Sequence, residues 1–520
     1  MADAIQDDTP PIDPENVPNR PIIMGCLMLA TIMQVLDTTI ANVALPDMRA
    51  DLGASLDTIN WVLTSYIVAA AIVTPMSGWL SNRFGRREVF MVSVVGFVLC
   101  SMLCGIAWSL DTMVLFRLLQ GVFGAAIVPL AQNFMLDINP RERHGQAMAV
   151  FAAGIMLGPI IGPTLGGYLT ESFNWRWVFY INVPLGIIAL AGCMTFLPKT
   201  PKSKVNFDFI GFAALAIGIG ALQLMLDRGS DLDWFSATEI WIELALAISG
   251  FWVFLVWIMG VEKPFIDPKM FLDRNLSMGL LFIFVIGIVL LASLALLPPM
   301  LSSIFDYPTV TTGLMMSPRG LGAMIMAILI GRLVKYVDLR LLVMFGLGMT
   351  AYSLYIMSTF SPQMGPRLLI VSGVIQGFGL GAVFVPISTL AFATLDSKYR
   401  GDGTALFSLV RNIGSSIGIS IVTALLTHNM AVNHSEIVSS INPQNLQSLL
   451  GSGSGMSSGQ ASYVLNNLAT QQAAMIAYLD DFKFMMWITV AAIPLVWFLR
   501  KPDYQSNGSG KEAEEGPILE

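Results

Sequence analysis

The chain has 520 residues, of which 55% are hydrophobic and only 12% charged, with a mean hydropathy of +0.69 and a formal net charge of −7. Soluble domains carry about 25% charged residues, and no water-soluble core absorbs this much apolar sequence. The composition therefore excludes a soluble enzyme or a nucleic-acid-binding protein and points to an all-α polytopic membrane protein.

Residues 1–22 open with "MADAIQDDTPPIDPENVPNR", acidic and Pro-rich. This stretch lacks the basic start and small-residue cleavage site of a signal peptide, so it is expected as a tail and the first apolar stretch as a retained span. A spanning helix needs about 20 mostly apolar residues. Such stretches occur at 23–45, 57–79, 88–107, 112–135, 147–169 and 177–197, forming an amino-terminal six-helix unit over 23–197. Residues 198–275 form a linker, with polar "PKTPKSKVNFD" and "VEKPFIDPKMFLDRN" flanking two extra spans at 208–227 and 239–260. A second unit over 276–499 holds spans at 276–297, 310–332, 340–358, 366–390, 402–427 and 482–499, and 500–520 is a second tail. Cys26, Cys100, Cys104 and Cys193 all lie in apolar stretches, so no disulfide framework is implied.

Lys and Arg alternate strongly between loops. One side carries Arg20, Arg83, Arg86, Arg87, Arg141, Arg143 and others to a total of 20, whereas the other has only Arg49, Arg176, Arg228, Arg367 and Lys483. The positive-inside rule then places both termini in the cytoplasm, and dropping any one span would scramble the alternation.

In the first span, "MQVLDTTIANVALP" sets Asp37 inside a run otherwise fit for lipid. An intramembrane carboxylate is costly and is a functional hypothesis by default. Gln34 and Asn42 on the same helix, with Trp61 and Tyr66 on the second, are candidates for a substrate cavity. The loop after the second span, "GWLSNRFGRR", joins turn glycines Gly78 and Gly85 to Asn82, Arg83, Arg86 and Arg87. Positive-inside charge explains those arginines but not the glycines. In the fourth span, "RLLQGVFGAAIVP" places Arg117 and Gln120 near the outer end. At 1.5 Å per residue Arg117 lies about 8 Å and Asp37 about 12 Å from that face, so the two can pair if their helices are neighbours. The pair reads either as simple neutralisation of two buried charges or as a proton site in which Arg117 holds Asp37 ionised.

The fifth span, "GIMLGPIIGPTLGG", puts Gly154, Gly158, Gly162 and Gly166 along nearly one helix face, with Pro159 and Pro163 beside the stripe. No strand precedes it and no G-K-[ST] follows, so it is not a phosphate loop. Generic small-residue packing and a sliding contact between two halves are both open.

The second half echoes the first. "QGVFGAAIVP" at 120–129 returns as "QGFGLGAVFVP" at 376–386, and "GWLSNRFGRR" at 78–87 returns, degraded, as "GRLVKYVDLR" at 331–340. Two repeated six-helix halves are the pattern of alternating-access transporters, with the site between them near the midplane. Arg319, Gln376, Arg411 and Asn412 fall inside spans of the second half and complete the cavity candidates. Two buried arginines against one clear buried aspartate suggest a cavity that accepts anionic as well as cationic compounds. Between His428 and Asp480 there is no Lys or Arg; this long outer connection over 428–480 reads either as a mobile loop or, through "SSGQASYVLNNLATQQAAMIAYL", as an amphipathic helix presenting a contact surface. The three histidines are all in loops, and no metal-ligand cluster, nucleophile–base pair, nucleotide site or other cofactor motif occurs.

The motifs together resemble the major facilitator superfamily, and within it the fourteen-span drug:proton antiporters of the EmrB/QacA type, closest to the EmrB-like pumps of Gram-negative bacteria. "MQVLDTTIANVALP", "GIGALQLMLDRGSDLDWFS" and "NWRWVFYINVP" carry that resemblance, which covers about residues 23–503. It implies two six-helix bundles plus two extra central helices, location in the cell inner membrane, and export of hydrophobic drugs or uncouplers in exchange for protons. It also implies Asp37 and Arg117 as the proton-coupling pair, and assembly with a periplasmic membrane-fusion adaptor and an outer-membrane channel. "GWLSNRFGRR" resembles the loop that locks the halves in one state; Asn82 stands where that family has an aspartate, so helix-dipole or amide contacts are expected to replace the ionic part of the lock. The glycine stripe resembles the antiporter signature thought to limit leak. A dedicated exporter of a lipid, fatty acid, siderophore or antibiotic on the same fold is the alternative.

Overall fold

A computed structural model describes residues 12–202, 206–334, 336–440 and 458–500. Among these residues there is no strand. The described helices long and apolar enough to cross a membrane number 13, or 14 when a bent pair is counted as one span, matching the fourteen expected. Two expected features, the tip of the first tail and the tail beyond residue 500, lie outside the described residues.

The amino-terminal bundle begins with α1 (Arg20–Leu52). Its second span is not continuous: after the short α2 (Leu56–Ile59), α3 (Trp61–Val73) and α4 (Met76–Phe84) meet at an angle of 57°. Pro75 lies at the bend, where its missing N–H and ring bulk break the ladder. After α5 (Arg86–Gly105), the fourth span is likewise split into α6 (Leu110–Gly124) and α7 (Ile127–Asp137). Pro129 there cannot donate to the carbonyl of Ala125, four residues back. The two breaks face each other, with the Thr74 hydroxyl 3.5 Å from that Ala125 carbonyl oxygen. The bundle closes with α8 (His144–Ser172), the short α9 (Trp177–Tyr180) and α10 (Asn182–Phe196).

The extra pair, α11 (Phe209–Arg228) and α12 (Thr238–Gly260), forms a hairpin through the close approach of Gly218 and Gly250. Its α11 packs on both α3 and α17, so the hairpin touches both halves. The carboxy-terminal bundle comprises α13 (Arg274–Ser303), α14 (Thr309–Leu333), α15 (Leu339–Met357), α16 (Pro366–Ala393), α17 (Arg400–Ser440) and α18 (Ser458–Ala492). One contiguous aromatic and aliphatic core runs through both bundles, including Phe90, Phe97 and Phe134 in the first and Phe282, Phe384 and Phe407 in the second. Large apolar side chains such as Val92, Leu99, Trp252 and Trp487 remain exposed around the outside, as expected of surfaces that face lipid.

Within residues 428–480, read either as a mobile loop or as a helix presenting a contact surface, the described residues are helical. Helix α17 continues to Ser440 and α18 starts at Ser458, well outside the expected spans. The two are joined by a contact between His434 and Asn466 at 3.2 Å, and Gln471 donates to the Ile304 carbonyl at 3.1 Å. Residues 441–457 lie outside the described residues.

The halves meet along α8 and α14, and again where the start of α17 packs on α4 and α7. The glycine stripe of α8 does not form that boundary, which corrects the sequence expectation. Cβ atoms at Gly154, Gly158, Gly162 and Gly166 would strike Met28, Val35, Thr39 and Ile40, all on α1. The stripe is the bed on which the helix bearing Asp37 lies, and Thr39 donates to the Gly158 carbonyl at 3.2 Å. The contact between halves uses Ile160 and Thr164 of α8 against glycines of α14, Gly320 and Gly313. Pro159 and Pro163 are half-buried beside it.

Candidate functional site

Asp37 is fully buried, and both carboxylate oxygens are satisfied. Arg117 Nη1 donates to Oδ2 at 2.7 Å; Gln120 Nε2 and Asn182 Nδ2 donate to Oδ1 at 2.9 and 2.7 Å. Arg117, itself 1% exposed, also donates from Nε to the Val62 carbonyl at 3.0 Å and from Nη1 to Gln120 Oε1 at 2.9 Å. Its guanidinium lies 4.4 Å from the Tyr66 ring centroid, and the Tyr66 hydroxyl accepts from Gln34 at 2.8 Å. Asn182 reaches the Ser101 hydroxyl at 3.0 Å, which donates to the Phe179 carbonyl.

This one network ties α1, α3, α5, α6 and α10 together. An ion pair in such a setting gains strength from the low dielectric but offsets a large desolvation cost, so it is weak evidence for stability. Its chemistry depends on the protonation of Asp37. Protonating Asp37 converts an acceptor into a donor and removes the charge that fixes Arg117, so contacts at Val62 and Gln120 change with it.

The predicted pair and Gln120, Tyr66 and Gln34 are thus brought together. Asn182 was missed, although a lone amide in an apolar span was a visible signal. Asn42 is exposed one turn beyond and donates to the Thr38 carbonyl. Trp61 is not in the network; it is 37% exposed, with the Arg228 guanidinium of the hairpin 5.5 Å from its ring. That arginine also pairs with Glu239 and, at 3.2 Å, with Glu243.

In the second half, Arg319 lines a small cavity between the halves together with Met156, Pro159 and Ile160 of α8, Leu290 and Leu294 of α13 and Leu380 of α16. Arg319 Nη2 donates to Ser293 Oγ at 2.9 Å and to the Leu290 carbonyl at 3.1 Å, and Gln376 Nε2 donates to the same hydroxyl at 3.3 Å. Arg411 and Asn412 are half-buried on α17, where the Arg411 backbone lies against Gly287 of α13, and neither lines this cavity.

At the arginine-rich end, Gly85 has φ +92°, a conformation that favours glycine, and turns the chain from α4 into α5. Gly78 has no room for a Cβ, because the Asp402 carboxylate at the head of α17 lies against it. The Asp137 carboxylate at the end of α7 accepts from Arg86, and from Arg400 of α17 at 3.2 Å. Where helix-dipole or amide contacts were expected to replace the ionic contact of the loop, the structure has an ionic one: Asp137 sits between Arg86 and Arg400. Asn82 is half-buried in the last turn of α4, Arg83 beside it is exposed, and Arg87 donates to the Met194 carbonyl. Among the described residues there is no His, Cys, Asp or Glu group able to hold a metal.

Two repeated helical bundles, a buried acid–base network in one and a largely apolar cavity bearing one arginine between them define a membrane transporter. A sequence model described as Major Facilitator Superfamily matches residues 27–419. The chain is 35% identical over 496 residues to the Multidrug export protein EmrB of Escherichia coli K12, covering 94% of this chain and 97% of that one. It is also 35% identical to EmrB of Haemophilus influenzae, over 92% and 95% of the two chains, and 34% identical to the Fatty acid resistance protein FarB of Neisseria gonorrhoeae, over 93% and 96%. In fold it matches the human organic anion transporter MFSD10 at a TM-score of 0.59 with 14% identity, over 91% and 100% of the chains. It also matches the proton:xylose symporter XylE at 0.57 with 13%, over 92% and 94%. The chain belongs to the major facilitator superfamily, and it is similar over nearly its whole length to multidrug export proteins of Gram-negative bacteria.

Proposed function

We propose that the protein is a proton-coupled antiporter that exports hydrophobic drugs and other toxic compounds across the inner membrane, with both termini in the cytoplasm. The observation that carries this reading is the buried Asp37–Arg117 pair at 2.7 Å, clamped by Gln120 and Asn182. Each proton that re-enters supplies roughly 2.3 kcal/mol per 100 mV, enough to drive export of a hydrophobic compound. Protonation of Asp37 frees Arg117 from its counter-ion and loosens α3 from α6, and deprotonation restores the clamp.

The loop clasp at Asp137 and the close fit of Gly78 to Asp402 hold the cytoplasmic end shut in this conformation. The site therefore discharges outward, and opening the clasp is the step that admits substrate. In this reading Arg319, in the cavity between the halves, contacts the substrate, and Gln34, Tyr66, Gln376, Arg411 and Asn412 act on its path. The 20-to-5 excess of basic residues on the clasp side supports the orientation. The helical extensions of α17 and α18 on the other side suit docking to a periplasmic membrane-fusion adaptor, and through it to an outer-membrane channel. The likeness to EmrB supports the drug substrates; the likeness to FarB favours the second reading, a dedicated fatty-acid exporter.

The test is uptake of ethidium into inverted membrane vesicles driven by an imposed pH gradient. The wild type accumulates dye, and Asp37→Asn does not, although it is present in the membrane at the same level. Equal uptake by both would remove Asp37 from the coupling step.

A further inference from the structure

The two halves of the chain carry the same polar arrangement, with one group missing from the second. The 256-residue offset that maps Gln120 onto Gln376 also maps Asp37 onto Ser293. In the first half, Gln120 Nε2 donates to Asp37 at 2.9 Å; in the second, Gln376 Nε2 donates to Ser293 Oγ at 3.3 Å. The same offset maps Arg117 onto Gly373, and the guanidinium is supplied instead from the neighbouring helix. A Cβ at Gly373 would sit 3.6 Å from the Cβ of Arg319, whose Nη2 donates to Ser293 Oγ at 2.9 Å. Arginine, glutamine and an oxygen acceptor thus recur, but the carboxylate does not.

The consequence is an uncompensated cation. Arg319 is 5% exposed and Gln376 fully buried, and among the described residues no carboxylate pairs with Arg319. Arg319 Nη1 and Gln376 Oε1 are buried without a hydrogen-bond partner there. Leaving a buried charge unpaired is expensive, and Arg319 lines the cavity between the halves, walled by Met156, Pro159, Ile160 and Met316. The geometry points to an anion-binding site at Arg319, Ser293 and Gln376, in which the carboxylate of an apolar organic acid takes the place that Asp37 occupies in the first half. The tail of that acid lies against the methionines and Pro159. The inference rests on the transporter reading but not on proton coupling. The first half then handles the proton and the second the acid headgroup.

The same headgroup chemistry belongs to anionic lipids, and the test separates them. Binding of laurate, 1-dodecanol and dodecyltrimethylammonium to the full chain is measured in nanodiscs of phosphatidylcholine and of phosphatidylglycerol. Wild type should prefer laurate over dodecanol at least tenfold in both lipids. Ser293→Asp supplies the missing carboxylate from the protein itself, so it should fold well yet lose laurate binding at least tenfold. Arg319→Gln should do the same, and Arg319→Lys should keep part of the preference. Laurate binding unchanged by Ser293→Asp, or no preference over dodecanol in the wild type, overturns the site. Laurate binding seen in phosphatidylcholine but lost in phosphatidylglycerol would assign the pocket to a lipid headgroup and overturn the substrate assignment. Loss of proton-driven dye uptake is read separately in vesicles, so failure of coupling and failure of this site are distinct results.

Discussion

Asp137 at the end of α7 accepts from Arg400 at the start of α17 at 3.2 Å, bridging residues from opposite halves while it also holds Arg86. One carboxylate between two guanidinium groups closes that end of the molecule, so removing it leaves two arginines facing each other. Asp137→Asn should open the end. Spin labels at the exposed positions Arg83 and Lys398 should report a longer mean distance in the variant, whereas an unchanged distribution would mean that packing of α17 on α4 alone keeps it closed.

Asn82→Asp adds a carboxylate in the last turn of α4, within a few residues of Arg83, Arg86 and Arg87. It should be tolerated and should shift the same distance distribution toward the shorter, closed population. Outright loss of transport would contradict this account of the loop.

Arg117→Ala leaves the Asp37 carboxylate buried without its counter-ion, a change that typically costs about 3–5 kcal/mol. Arg117→Lys should recover little, because an ammonium cannot reach Asp37, Gln120 and the Val62 carbonyl together. The double variant Asp37→Asn/Arg117→Gln removes both charges and should be more stable than Arg117→Ala. Denaturation of the purified protein in detergent measures all three; a double variant no more stable than Arg117→Ala would show that the buried charge is not the source of the loss.

Gly162→Leu forces a side chain into Thr39 of α1. Overpacking of this kind costs about 1–3 kcal/mol, and the displaced α1 carries Asp37 with it. Proton-coupled uptake should fall more steeply than protein stability, and a variant with normal uptake would separate the stripe from the coupling helix.

Much of this was legible in the sequence, because hydropathy, charge alternation and the repeat are local or periodic signals. The Asp37–Arg117 pair followed from depth along two helices. What escaped was long-range or masked by averaging. Asp137 is an unremarked acid at a helix end until the fold brings Arg400 beside it from 263 positions away. The breaks at Pro75 and near Pro129 vanished inside windows of 20 apolar residues. The stripe of α8 gave the right contact chemistry but not its partner, since a face rich in glycine accepts any close helix. Ser293 carried no signal of its own; only its equivalence to Asp37 through the repeat gives it meaning.

The central claim is that Asp37 exchanges a proton for substrate. Its most direct test is proton release in weakly buffered detergent solution when dodecyltrimethylammonium is added to the purified full-length protein, first equilibrated at a pH acidic enough to protonate Asp37. The account predicts substrate-dependent release from the wild type and none from Asp37→Asn, with the variant still binding the compound. Equal release from both proteins would contradict it and place the exchanged proton on another group.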